Sequence, residues 1–321
     1  MLIPVLLFAL GLVLLIKGGD WFVDGATGIA HRFHLPDIIV GATVVSIGTT
    51  LPEVMVSTTG ALNGQGAMAY GNAIGSIICN TALISAISVA VNPGPVNVKT
   101  MKVPVLFFFG ASAVFCFAAY VLGTFPQWLG FLMLAVFLVY LVLTVRQGLK
   151  NPTETPEESL DISPQPLWKE LLLLVVGAAL IAVGADLLVD KGTIIADALG
   201  VPQTVIALTF VALGTSLPEL ITTITSLRKG HASLGIGNVI GANIFNLVLV
   251  LGVSVTVAPF EVPVGNLLFG INSSLVLDIP LMVAVMALLT LPALLCKKLH
   301  RWQGITLLAI YAAFCTLQFV L

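Results

Sequence analysis

From residue 2 to residue 320 the chain is a succession of apolar stretches of about twenty residues or more, broken only at charges, Pro and Gly. Placed from those breaks, they run near 2–30, 36–60, 67–91, 103–122, 126–146, 168–196, 202–226, 233–257, 274–295 and 303–320. Each is long enough to cross roughly 30 Å of hydrocarbon, and the first and sixth are long enough to require tilt. Composition leaves no soluble alternative: 58% of the residues are hydrophobic and 9% are charged, against about 25% charged in a soluble domain. The net charge of −2 offers no field for nucleic acid. Cys79, Cys116, Cys296 and Cys315 lie in or at the ends of apolar stretches, so no disulfide framework is expected. The first apolar run follows no basic region and exceeds a cleaved leader, so it reads as the first span.

The one clearly hydrophilic stretch, 147–167, carries Glu154, Glu157, Glu158 and Asp161 among prolines. It reads as a solvated linker between five spans (1–146) and five more (168–321). The two halves are copies. A shift of 166 residues, the offset from Glu53 to Glu219, lays Gly48-Thr49-Thr50-Leu51-Pro52-Glu53 over Gly214-Thr215-Ser216-Leu217-Pro218-Glu219. It also lays Gly71-Asn72-Ala73-Ile74-Gly75-Ser76-Ile77-Ile78-Cys79-Asn80 over Gly237-Asn238-Val239-Ile240-Gly241-Ala242-Asn243-Ile244-Phe245-Asn246. Asp20, Asp24 and Pro36 meet Asp186, Asp190 and Pro202 at the same offset. Chance likeness between apolar helices does not keep Pro, Glu and Asn in register.

Five spans per copy is odd, so the second copy enters the membrane from the opposite side. Charge provides an independent check. With both termini outside, Arg32, Lys99, Lys102, Arg146, Lys150, Lys169, Arg228, Lys229, Lys297, Lys298 and Arg301 fall at cytoplasmic ends, leaving only Lys17 and Lys191 of the 13 basic residues inside spans. The expected fold is therefore an all-α integral membrane protein of ten transmembrane helices in two inverted five-helix repeats, in the cell membrane with the 147–167 linker cytoplasmic. Helices 2 and 7 are expected to break ahead of Pro52 and Pro218, with the preceding hydroxyls capping the half-helices.

A glutamate in mid-span costs at least about 2.5 kcal/mol on insertion scales. Two readings are open: a protonated side chain in a structural hydrogen bond, or a ligand facing a cavity or cation. A twin carboxylate at the matching position of an inverted repeat favours the second, because pseudo-symmetry brings such residues together near the midplane. The glycines of the Gly-Asn-x-x-Gly motif read as close helix packing. Asn80 and Asn246, each at the same offset from its glutamate, read as ligands, with Ser76 one turn before Asn80. Carboxylates, hydroxyls, amide oxygens and carbonyls released by the prolines make an all-oxygen donor set, suited to hard cations and not to zinc or copper. Two ionised glutamates neutralise one divalent ion, or hold two or three monovalent ions with neutral oxygens.

These paired motifs resemble the alpha repeats of the calcium/cation antiporter superfamily, the sodium/calcium exchangers and their relatives, over essentially the whole chain. The resemblance implies ten helices, alternating access, and Na⁺ and Ca²⁺ competing for overlapping sites. By motif position it implies that Glu53 and Glu219 are the carboxylate ligands and that Thr49, Thr50, Thr215 and Ser216 are hydroxyl or carbonyl ligands. It further implies that Asn80 and Asn246 are the polar groups of helices 3 and 8, and that Ser46 and Ala212 give backbone carbonyls to Na⁺. The chain departs from the family at Ile77, where Asn is usual, and at Ala242, which lacks the hydroxyl of Ser76. The counter-ion therefore stays open between Na⁺ and H⁺ or K⁺.

Asp20, Asp24, Asp186 and Asp190 read as structural groups that bond polar groups inside the bundle or pair with Lys17 and Lys191, with an ion entry path as the other reading. His31, His34, His231 and His300 read as interfacial. An intramembrane enzyme is disfavoured because Asp20 and Asp186 lack the usual flanking pattern of an aspartyl dyad and no His-Glu-x-x-His occurs. A passive channel is disfavoured by the inverted repeat. No cofactor and no obligatory protein partner are expected; the partners are the bilayer and the transported cations.

Overall fold

The structure, a computed structural model, describes residues 2–150, 166–199, 214–264, 267–268 and 270–320. Its helices are α1 (Leu2–Arg32), α2 (Asp37–Leu62), α3 (Gly66–Val91), α4 (Val98–Leu122), α5 (Gln127–Lys150), α6 (Leu167–Ala198), α7 (Leu217–Arg228), α8 (Ala232–Val257), α9 (Ser274–Cys296) and α10 (Arg301–Val320). Among the described residues eight of them are long and apolar enough to cross a membrane. Ala212, Pro202 and most of the 147–167 linker lie outside the described residues.

Small residues decide which helices touch. On α1, Gly11, Gly18 and Gly25 recur every seven residues, as do Gly177 and Gly184 on α6. A Cβ at Gly18 would lie 2.8 Å from the Ile181 nitrogen, and one at Gly184 would lie 2.8 Å from the Gly11 carbonyl. The two backbones therefore meet directly, as small-residue stripes allow in a membrane. Arg32 closes one end of the pair, its Nε donating to Glu170 Oε2 at 2.9 Å. The glycines of α8 serve the same purpose against α2: a Cβ at Gly241 would sit 2.7 Å from the Ala42 Cα. Around α8 lies the main apolar core, where Phe245, Tyr140, Phe108, Met282 and Ile74 are all buried.

The copies repeat their turns as well as their helices. Gly64 (φ 75°) and Gly230 (φ 82°) sit at twin positions in the α2–α3 and α7–α8 turns. In each turn the next residue donates back to the helix it leaves: Gln65 N to Gly60 O and His231 N to Ser226 O, both at 2.8 Å. This is a left-handed cap in which a side-chain-bearing residue would be strained. Short antiparallel pairs then cross between copies, Gly94 with Leu299 and Thr124 with Glu261.

The expected break in helix 2 is not observed. Residues 46–62 are helical through Pro52, and the irregularity is a widened π-helical turn over Gly41–Val45. Proline's φ suits a helix. Its costs, the lost N–H and crowding of the carbonyl four residues back, do not break the helix here, and since that residue is glycine in both copies, Gly48 and Gly214, it is not what distinguishes them. In the second copy the chain does turn at Thr215 and Ser216, and α7 starts with Pro218 in its first turn. The hydroxyls expected to cap these helices do not do so: no side chain caps α7 at Ser216 or the helical stretch from Ser46.

Candidate functional site

Helical spacing puts Ser46, Thr49, Thr50, Glu53 and Ser57 on the inner side of α2, where all five are buried. Glu53 and Glu219 are both 0% exposed. The two carboxylates are near neighbours across the copies, and Thr49 and Thr50 of α2 stand beside Glu219. None of the four carboxylate oxygens has a hydrogen-bond partner, and the ion pairs of the described residues do not involve either glutamate.

Twin hydrogen bonds tie the frame around these carboxylates. Thr49 Oγ1 donates to Asn238 Oδ1 at 3.1 Å, and Thr215 Oγ1 donates to Asn72 Oδ1 at 3.2 Å. Each bond joins the Thr of one copy to the Gly-Asn motif of the other. Ser46 donates to the carbonyls of Gly41 (2.8 Å) and Asn238 (3.0 Å). Asn72 donates to Ser57 Oγ at 2.8 Å and lies 3.4 Å from the Glu53 carbonyl. In the sequence Asn72 and Asn238 read only as companions of the packing glycines. Their place beside the threonines appears once the copies are folded together, although their position at one register in both copies was visible beforehand.

Asn80 and Asn246 each open a widened π-helical turn, Asn80–Ser85 and Asn246–Val250. Such turns are frequent at functional sites. Both side chains are 0% exposed. Asn80 has no partner for either amide atom; Asn246 donates to the Ala242 carbonyl at 3.0 Å and leaves its oxygen free. Buried polar groups are almost always paired; those that are not include the carboxylates of Glu53 and Glu219, the hydroxyls of Thr50 and Ser216, and the amide oxygens of Asn80, Asn243 and Asn246, together with further hydroxyls such as those of Ser112, Thr222, Thr223 and Ser226. Ser76 is buried on α3 ahead of Asn80. Asn243 donates to Thr81 Oγ1 at 2.7 Å and to the Met286 sulfur at 3.6 Å, bridging α8 to α3 and α9. Cys79 lies buried beside Ser216 and Tyr311.

Two adjacent buried carboxylates with no basic partner cannot both be carried as anions without a compensating cation or proton. Among the described residues no group of three or more His, Cys, Asp or Glu side chains could hold a metal ion. The donors are thus two carboxylates and neutral oxygens, a set that favours hard cations.

Of the remaining acids, Asp20 and Asp24 pair with Lys229 of the α7–α8 turn, the latter at 2.7 Å, and Asp190 pairs with Lys191 at 2.6 Å. Of the partners read from the sequence, Lys191 pairs with Asp190, whereas Asp20 and Asp24 meet Lys229 of the other copy and not Lys17.

A polytopic helical membrane protein with an anionic, oxygen-lined interior belongs to the class of cation carriers. The profile of the sodium/calcium exchanger proteins matches residues 3–146 and 169–320. The fold is similar to that of the sodium-calcium exchanger NCX_Mj in crystals soaked with 2.5 mM Na⁺ and 10 mM Sr²⁺, with a TM-score of 0.81 and 34% identity over 97% of each chain. The sequence is 30% identical to the sodium/calcium exchanger MaX1 of Methanosarcina acetivorans over 98% of each chain. It is 35% identical to an uncharacterised membrane protein of Methanocaldococcus jannaschii over 95% of this chain and 94% of that one. The chain belongs to the sodium/calcium exchanger protein family, the membrane antiporters of cations.

Proposed function

We propose that the chain is a secondary antiporter exchanging Ca²⁺ for Na⁺ by alternating access, its ions bound near the midplane of ten helices arranged as two inverted repeats. The observation that carries this reading is the fully buried, unpartnered pair Glu53 and Glu219, in a protein interior that also holds unpaired hydroxyl and amide oxygens. In this reading the two glutamates share one divalent ion. Thr50, Ser216, Asn80 and Asn246 complete its oxygen shell, Thr49 and Thr215 hold the frame and lend carbonyls, and Ser76 adds a hydroxyl. Ser46 and Ala212 contribute backbone carbonyls to Na⁺, the latter by resemblance alone because it lies outside the described residues. Removing Ca²⁺ leaves two anions with a large mutual repulsion in a poorly polarisable interior, so two or more monovalent ions must replace it. That requirement couples the two fluxes.

The names of relatives support the same reading, since one is a Na⁺/Ca²⁺ exchanger and another was soaked with Na⁺ and Sr²⁺. The distribution of basic residues favours both termini outside and the 147–167 linker in the cytoplasm. Flux of ⁴⁵Ca²⁺ into proteoliposomes tests the exchange. Uptake should follow an imposed Na⁺ gradient and stop without it. Uptake that ignores Na⁺ and follows a pH or K⁺ gradient would replace Na⁺ by that ion on the same site. Orientation is tested with a Cys placed at Ser159, outside the described residues: an impermeant thiol reagent should reach it only from the cytoplasmic side.

A further inference from the structure

The α7–α8 turn carries a charged cluster that its twin lacks. The two turns share their backbone, with Gly64 and Gly230 in the left-handed region and the same closing hydrogen bonds. Their side chains differ: Asn63 and Gln65 in one copy become Lys229 and His231 in the other. Lys229 Nζ lies 2.7 Å from Asp24 Oδ1 and donates to the Asp20 carbonyl at 2.8 Å, both on α1. His231 Nδ1 lies 2.8 Å from Oδ2 of Asp37, the first residue of α2. Its ring stands edge-on to that of His31 on α1, centroids 6.2 Å apart. The charged and titratable groups facing His231 are thus Asp37 on α2, His31 and Asp24 on α1, and Lys229 on the turn itself. On the opposite side Asp186 and Asp190 stand at the twin positions of Asp20 and Asp24, but Asp190 is paired to its own neighbour Lys191 and the α2–α3 turn carries no charge.

The part that this cluster holds is stiff. Through their glycines and the Arg32–Glu170 pair, α1 and α6 form one unit. We propose that Lys229 and His231 form a latch, present on one face of the protein only, that ties the α1–α6 unit and the start of α2 to the α7–α8 turn and must release for that face to open. Its effect on flux rests on the proposed exchange; its existence does not. Hydrogen bonding to Asp37, reinforced by Asp24, raises the His231 pKa above its ordinary value, against burial and Lys229. The latched state therefore binds the proton more tightly than a released one, in which the imidazole titrates near about 6.5. The latch is strongest below that value and weakens as pH rises through the raised one.

Hydrogen–deuterium exchange of the purified protein, corrected for intrinsic rates, tests this without any transported ion. Between about pH 6 and about pH 8, exchange over 229–234 should rise by roughly twofold to fivefold, the range expected of partly exposed pairs. His231→Gln, which installs the residue of the twin turn, should abolish that rise. Lys229→Asn should speed exchange at both pH values. Asn63→Lys, which installs the twin of Lys229, should slow exchange over 63–68 on the other face. The same pH response in the wild type and His231→Gln would overturn the latch, and Asp37→Asn gives a second reading should the histidine variant not fold. If His231→Gln abolishes the exchange response but leaves the pH profile of Ca²⁺ flux unchanged, the gating role is overturned. Absence of Na⁺-coupled flux in the wild type would instead remove the antiport reading and leave the hydrogen-exchange result standing.

Discussion

The first copy presents its carboxylate from an uninterrupted helix, whereas the second presents its own from the first turn of a helix that starts at Leu217. The two glutamates nevertheless arrive side by side, framed by twin threonine–asparagine bonds. Equal chemistry is thus delivered by unequal mechanics. Glu53 sits on a long helix irregular only at Gly41–Val45, and Glu219 on a short helix behind a turn at Thr215 and Ser216. The hydrogen bonding differs in the same direction. Asn72 donates to Ser57, while in the second copy Asn238 Nδ2 and the Thr223 hydroxyl remain unpaired.

If the chemistry is equal, removing either charge should have the same, maximal effect. Glu53→Gln or Glu219→Gln should each abolish Ca²⁺ exchange, leaving the ion half neutralised. Neither should lower the unfolding temperature, because an unpaired buried carboxylate stabilises nothing on its own. Proteoliposome flux and thermal unfolding measure the two effects; flux near the wild-type level in one variant alone would show that the site is asymmetric.

The α1–α6 contact sharpens the comparison from the symmetric side. Gly18 and Gly184 are twins, and a methyl group on either would press on the partner backbone. Alanine at either position should destabilise the protein by about 1–3 kcal/mol, equally for the two, as read from thermal unfolding in detergent. A cost on one side only would mean that the pair is not pseudo-symmetric in solution.

Two smaller effects probe the unequal side. Ala242→Ser should strengthen Na⁺ competition against bound ⁴⁵Ca²⁺ more than it changes Ca²⁺ affinity, and Ser76→Ala should weaken it. One neutral ligand is worth about 0.5–1.5 kcal/mol, a several-fold shift in half-saturating Na⁺. If neither variant moves the Na⁺ titration, these positions do not touch the ion. Ser57→Ala breaks the bond from Asn72 and should cost about 1 kcal/mol. Thr223→Val, at the twin position, removes a hydroxyl that has no partner and should leave stability unchanged or slightly raised. Equal losses in the two variants would show that the hydrogen bonding is symmetric after all.

Local chemistry set much of this in advance. The spans follow from hydropathy, and the turns at Gly64 and Gly230 follow from glycine's access to positive φ. The register of the repeat singles out Glu53 and Glu219 as twins, and their position in mid-span is what makes them candidates to meet. Those properties need only neighbouring residues or a comparison of the chain with itself.

Tertiary structure decided the rest. Proline in an apolar span reads as a break, but the same Gly-Thr-x-Leu-Pro-Glu pattern runs on as helix through Pro52 and turns ahead of Pro218, so the motif alone does not decide which happens. Asn72 and Asn238 became partners of the threonines only when each copy's third helix packed against the other's second. Lys229 met Asp24, and His231 met Asp37, across separations of about two hundred residues. Hydropathy and spacing describe what a residue can do alone or within one helix. Which donor meets which acceptor depends on how closely two backbones approach, and in this chain that distance is fixed by the glycines between α1 and α6 and between α2 and α8.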